Sequence, residues 1–207
     1  MILNKLYFLF LILFVSCTNE KQKTNTNNGA DSISTKNTYV KPDQSEMDIS
    51  WCPADYPIQK MQEDSNNKLI ARVVYSRPHK KGRAIFGESA DNLCMYGKPW
   101  RLGANEATEI TFFDDVLIEN KKVVKGTYII YCIPQKENWI IKLNTNLYTW
   151  GLHIDESKDV FSTTVKTENQ EPAIENFTLV FDENTTGANL IMVWDNVKVA
   201  LPIAYAK

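Results

Sequence analysis

Much of what enzyme signatures are made from is missing from this sequence. It has two histidines, His79 and His153, far apart and each without a partner at ligand spacing. Each reads as an exposed or simply hydrogen-bonded side chain, and no metal site is expected. The four cysteines form no C-x-x-C, which removes the redox-motif and zinc-ribbon readings. Ser76 and Ser89 sit in no G-x-S-x-G frame, and GANEA (103–107) lacks the glycines and lysine of a phosphate loop. No cofactor is therefore expected. Basic blocks are missing too: 23 Lys and Arg are spread against 25 Asp and Glu, so nucleic acid is not expected as a partner. No window sustains a helical period beyond about one turn. The longest apolar run, Leu6 to Val15, has ten residues, too few to span a bilayer.

That run does have a recognisable use. Lys5 precedes it, and Val15-Ser16-Cys17 follow it, the order of a secretory signal with small residues before a cleavage point. Residues 1–17 resemble a bacterial lipoprotein signal in which Cys17 becomes the acylated first residue. Multiple acyl chains anchor a protein stably where one binds only marginally. The expectation is a lipid bilayer partner, reached through Cys17, and a place in the cell envelope at the outer membrane. Removing residues 1–16 takes away Lys5, so 22 basic residues face 25 acidic ones, a net of −3. Residues 18–50 are Asn, Thr, Ser, Lys and Gln with almost nothing to bury, and they read as a disordered tether. From Trp51 to Lys207 the chain has single-domain length. Cys52 and Cys94 fall in loop-like sequence and are candidates to pair, while Cys132 reads as a small buried residue of a strand.

The domain is punctuated into short runs of β-branched and aromatic residues. Strands are predicted over 68–76, 107–113, 115–119, 126–134, 138–143, 159–167, 175–182, 188–195 and 197–203, separated by turn signals. Phe177, Leu179 and Phe181 alternate with wetter positions, as in a strand with one solvated face. Trp194-Asp195-Asn196-Val197 reads as a hairpin with a type I′ turn. The expected fold is all-β: an antiparallel β-sandwich of jelly-roll or immunoglobulin size, with one long irregular loop.

The loop is SRPHKKGRAIFGESADNLCMYGKPWRLGAN, residues 76–105, which shows no alternation and carries both cations and aromatics. A structureless stretch of that length in a compact domain is commonly functional. Its motifs YSRP (75–78), KGR (81–83), IFG (85–87) and YGKPWRLGANEAT (96–108), with GTYIIYCIP (126–134), resemble the DUF2911 family. TWGLHIDESKDVF (149–161), FTLVFD (177–182) and LIMVWDNVKVALPI (190–203) continue the likeness. The chain departs from it at Cys94-Met95, where the family more often carries a Val-Pro-like pair. The resemblance implies a β-rich extracytoplasmic domain, common in Bacteroidota and often a lipoprotein, and it carries over no catalytic residue.

Arg77, Tyr96, Trp100, Arg101, Asn105 and Glu106 are the candidate ligand-binding residues. In a site, the arginines hold an anion, Asn105 orients it, and Tyr96 and Trp100 form an apolar wall. As scaffold, Glu106 neutralises Arg101 or Arg77 beneath the loop and Trp100 caps the core. Asp155, Glu156 and Asp159 read as a solvated turn. Trp150-Gly151, if exposed, offers a stacking platform. Two functions remain open. One is a non-catalytic module that binds a glycan, a peptide or an envelope protein. The other is a glycan- or cell-wall-directed hydrolase or lyase using Glu106 with Arg101 and Arg77, although a glycosidase needs a second carboxylate at defined spacing.

Overall fold

The computed structural model describes residues 44–62 and 68–206. The signal segment with Cys17, and the tether as far as residue 43, lie outside the described residues. Alternation of β-branched and aromatic residues builds the strands β1 (Met47–Cys52), β2 (Ala71–Ser76), β5 (Glu109–Phe112), β8 (Gly126–Pro134) and β9 (Asn138–Asn144). One α-helical turn, α1 (Tyr56–Gln59), follows β1. The short pair β3 (Phe86–Gly87) and β4 (Cys94–Met95) lies within the irregular segment. Strands β6 (Val116–Ile118), β7 (Lys121–Val123), β10 (Asp159–Asn184) and β11 (Gly187–Tyr205) complete the set.

Nine of these form one antiparallel sheet in the order β1-β2-β5-β8-β9-β10-β11-β6-β7. The sheet folds over on β10. Residues 159–166 of that strand pair with β9, and residues 167–184 pair with β11. Val73, Ile110 and Leu143 on one side of the fold and Leu179, Leu190 and Leu201 on the other belong to a single buried cluster. The result is the expected all-β, sandwich-like fold, without closure into a barrel.

Several expectations need correction. The tether was expected to reach residue 50, but β1 begins at Met47, where Met47 pairs with Ser76. Met47, Ile49 and Trp51 supply the period-2 pattern there that composition alone had masked. The expected strands 159–167 and 175–182 are one extended run, irregular between Asn169 and Thr178, because the polar segment between them still borders β11. Cys52 and Cys94 do not pair: both are free and buried, as is Cys132. The Cys52 sulfur instead lies 3.3 Å from the Tyr205 hydroxyl.

The last hairpin lies where the sequence places it, but its turn is of a different kind. β11 is 19 residues long, which fully extended spans roughly 60 Å. Yet the Tyr205 amide donates to the Thr186 carbonyl at 3.0 Å, and a Cβ on Gly187 would stand 2.8 Å from the Ala204 Cα. The run therefore doubles back at its midpoint, Asp195–Asn196. Asp195 has φ +53 and Asn196 is not in the left-handed region, so the reversal is not the type I′ turn, which needs both. Two consecutive left-handed residues occur instead at Glu119 (φ +50) and Asn120 (φ +60), which join β6 to β7 with Ile118 opposite Lys121. β7 was missed in the sequence because Lys121 and Lys122 depress its strand signal, as charged residues do on a sheet edge.

The acidic turn 155–159 is also more than a solvated bend. Asp155 caps the 3-10 turn Glu156–Lys158 by accepting from the Ser157 amide at 3.1 Å. Asp159 turns inward, accepting from the Tyr131 hydroxyl (2.8 and 2.9 Å), from Asn144 Nδ2 (2.7 Å) and from Lys142 Nζ (2.9 Å). Burial, reinforced by the Asp159 carboxylate, pushes the Tyr131 phenol well above its usual value. Lys142 is pushed up by its hydrogen bond to Glu156 and by Asp159. Both groups therefore favour folding fully below their unfolded values, near about pH 10, and that contribution is lost as pH rises towards their folded values. Urea midpoints should fall between about pH 9 and 11. Asp159→Asn should lower stability at neutral pH and flatten that alkaline decline.

Candidate functional site

The irregular segment is held down by its aromatics. Phe86, on β3, packs against Trp139 (ring centroids 5.2 Å apart), Trp100 (5.8 Å) and Trp194 (6.4 Å). Trp100 stacks on Trp194 at 5.7 Å and meets Phe177 at 4.8 Å. Its backbone joins the sheet: the Trp100 amide donates to the Cys132 carbonyl (2.7 Å), and the Cys132 amide donates back (2.9 Å). Beyond Trp100 the chain must turn sharply, and Leu102 and Asn105 do so with φ of +54 and +58. Thr108, buried, donates its hydroxyl to the Leu102 carbonyl at 2.7 Å. Trp100 Nε1 donates to the Gly103 carbonyl at 3.3 Å. WRLGANEAT is thus a corner with Trp100, Leu102 and Thr108 inside.

Arg101 faces the other way, and its surroundings are unusual for a cation. It is half-buried, and its Nε is buried without a hydrogen-bond partner. Among the described residues it makes no ion pair. Burial pulls its guanidinium below the usual value, opposed by Cys94 and Glu106 nearby; it stays charged at any ordinary pH. Two adjoining cavities share Arg101, Trp100 and Leu93 as wall. The first, of about 290 Å³, is completed by Met95, Lys98, Leu152 and Ile154 among others. The second, of about 190 Å³, is completed by Pro78, Arg83 and Trp194 among others. Cys94 borders the first, and burial pushes its thiol far up, so it is no nucleophile.

The remaining candidates disperse. Arg77 is engaged elsewhere, 3.3 Å from Asp48 Oδ2, with Nη2 donating to Thr178 Oγ1 at 3.4 Å. Its amide donates to the Glu46 carbonyl (2.9 Å), and His79 Nε2 lies 3.2 Å from the Glu46 carboxylate. Those contacts clasp the start of β1. Tyr96 is half-buried and lines neither cavity; burial, with Glu137 and Glu88 near, pushes its phenol up. Asn105 shapes the corner. Glu106 is exposed, bridges to Trp150 through the backbone, and also lines neither cavity. Glu106 makes no ion pair with Arg101 or Arg77, although its carboxylate lies near enough to Arg101 to favour the charged guanidinium. Asp48, from the strand that composition disguised, is the ion-pair partner of Arg77.

Residues that sequence reasoning did not bring to the cleft come from TWGLHI. Trp150 and Leu152 are 48% and 69% exposed, and Gly151 lies directly on Arg101. A Cβ on Gly151 would overlap Arg101 Cδ and stand 2.8 and 2.9 Å from the Asn105 and Glu106 carbonyl oxygens. The Trp150-Gly151 pair carried a sequence signal, but its proximity to Arg101 is a long-range fact. Among the described residues, no group of three His, Cys, Asp or Glu is placed to hold a metal ion.

A family model described as a protein of unknown function, DUF2911, matches residues 56–203. The chain belongs to the DUF2911 family. The matched span runs from α1 to the end region of β11 and contains every residue of the Arg101 cleft except Ser45. No curated protein and no solved structure matches this DUF2911 chain.

Gly151→Ala should force segment 149–154 off Arg101 and lower the unfolding free energy by about 1–3 kcal/mol, the range for overpacking. A denaturant titration measures this, and an unchanged midpoint would show that the segment does not rest on the arginine.

Proposed function

We propose that this DUF2911 protein is a lipid-anchored, extracytoplasmic binding domain whose ligand site is the cleft around Arg101. The observation that carries the reading is the state of that guanidinium. A half-buried cation with an unsatisfied Nε and no ion-pair partner among the described residues has lost hydration that the nearby Glu106 charge offsets only in part. An anionic ligand in the cleft supplies a countercharge to the guanidinium, and a charge-assisted bond to arginine is among the stronger polar contacts available. Non-catalytic binding is favoured over hydrolysis because Glu106, the carboxylate a hydrolytic reading would use, stands outside the cleft and exposed. The anchor is supported by the order Lys5, Leu6–Val15, Cys17, and the polar stretch from residue 18 suits a tether that holds the domain off an outer-membrane surface.

Each half of the proposal has its own test. Cells fed a labelled fatty acid should incorporate label into the wild-type chain and not into Cys17→Ser; label in both variants removes the anchor. Thermal melting against a panel of inorganic and organic anions should reveal at least one that stabilises the wild type and leaves Arg101→Met unmoved. A panel that acts equally on both removes the site.

A further inference from the structure

The walls of the Arg101 cleft say more about its ligand than that it is an anion. Around the first cavity the charged side chains are both cationic, Arg101 and Lys98, and no carboxylate lines it. The second cavity adds Arg83, an exposed side chain two of whose five N–H groups donate to the His79 and Lys80 carbonyls. Arg101 is the half-buried cation shared by both cavities, and the exposed Lys98 borders the first. The other walls are apolar: Leu93, Met95, Trp100, Leu152 and Ile154. Leu93 and Leu152 are 44% and 69% exposed. Single exposed apolar residues are ordinary. Two of them lining one cleft with a desolvated cation form an amphiphilic receptacle.

That arrangement discriminates among anions. A sugar acid would bring several hydroxyls into a cleft whose lining offers few side-chain hydrogen-bond partners besides Lys98 and Arg101, and unpaired hydroxyls are costly to bury. A phosphate dianion is usually met by clustered backbone amides or several cations, whereas here the Arg101 fork is joined only by the exposed Lys98. A carboxylate matches that fork bidentately, and an apolar body covers Leu93, Leu152 and the Trp100 edge. The cavity of about 290 Å³ is at the lower end of small-molecule sites, which run from roughly 300 to 1,000 Å³, so the body that enters is small.

We propose that the cleft binds a carboxylate carried on a small apolar body, with the carboxylate on Arg101 and the body between Leu93 and Leu152. This rests on the Arg101 reading above and narrows it. The same chemistry has two sources: a free aliphatic or aromatic acid, or the apolar C-terminal residue of a peptide chain.

Calorimetric titration of the full chain separates the cases. Hexanoate should bind, while hexanamide and inorganic phosphate should bind at least about tenfold more weakly, as loss of a charge-assisted pair or of the apolar contact dictates. Arg101→Met should abolish hexanoate binding. Leu152→Glu, at an exposed position that leaves the fold intact, should also abolish it by setting a negative charge against the ligand. Acetyl-Gly-Leu, compared with its C-terminal amide, separates the sources. Tighter binding than hexanoate, lost on amidation, assigns the site to chain ends, and weaker binding assigns it to free acids. Equal binding of hexanoate and hexanamide, or hexanoate binding undiminished in Leu152→Glu, overturns the proposal. Phosphate binding as tight as hexanoate and lost in Arg101→Met overturns this narrowing while the anion site stands. No Arg101-dependent binding of any anion removes both.

Discussion

Everything irregular in this protein depends on where one indole sits. Trp100 is built into β8 by a reciprocal pair of backbone hydrogen bonds with Cys132 and into the core by contacts with Phe86, Trp139, Phe177 and Trp194. A buried aromatic of this size removes roughly 150–250 Å² from water, worth about 4–6 kcal/mol, which offsets the ordering entropy of the few residues around it. With Trp100 fixed, the next side chain along the chain must point outward, so Arg101 is held half-desolvated at the base of a cleft. The same packing that makes the long loop a structured corner makes its cation unusual.

The fold was legible in the sequence to the extent that its strands obey period 2. β9 and the Phe177–Phe181 stretch alternate cleanly, β8 is a continuous apolar run, and the all-β architecture follows from them. Two things resisted. Edge strands need not look like strands: β7 is mostly lysine, and β1 follows a long polar stretch. Turn chemistry is also permissive. Asp195-Asn196 and Glu119-Asn120 both lie at chain reversals, yet only the second has two left-handed residues, because the first is also constrained by Ile174 of the neighbouring β10.

The candidate site was half legible. Composition singled out the segment that lines most of the Arg101 cleft, since a stretch that is basic, aromatic and aperiodic has to be accounted for. It could not say which polar residue stays unpaired, because that depends on partners distant in the chain. Arg77 finds Asp48, 29 residues upstream, in a strand that composition hid. Glu106 lies beside the Arg101 corner yet does not pair with it. The wall opposite, Leu152 and Ile154, comes from a segment some fifty residues later, brought in by the backbone bridge between Glu106 and Trp150.

The clasp at the start of β1 has a mechanical meaning. Arg77 and His79 grip Glu46 and Asp48 through a backbone hydrogen bond, an ion pair and a histidine contact, just where the described chain emerges. Arg77 and His79 flank Pro78, which lines the second cavity beside Arg101. Tension applied to the residues before Glu46 therefore does not dissipate in a free end. It enters the domain within one residue of the cleft wall, so the line of force from any attachment upstream passes beside Arg101.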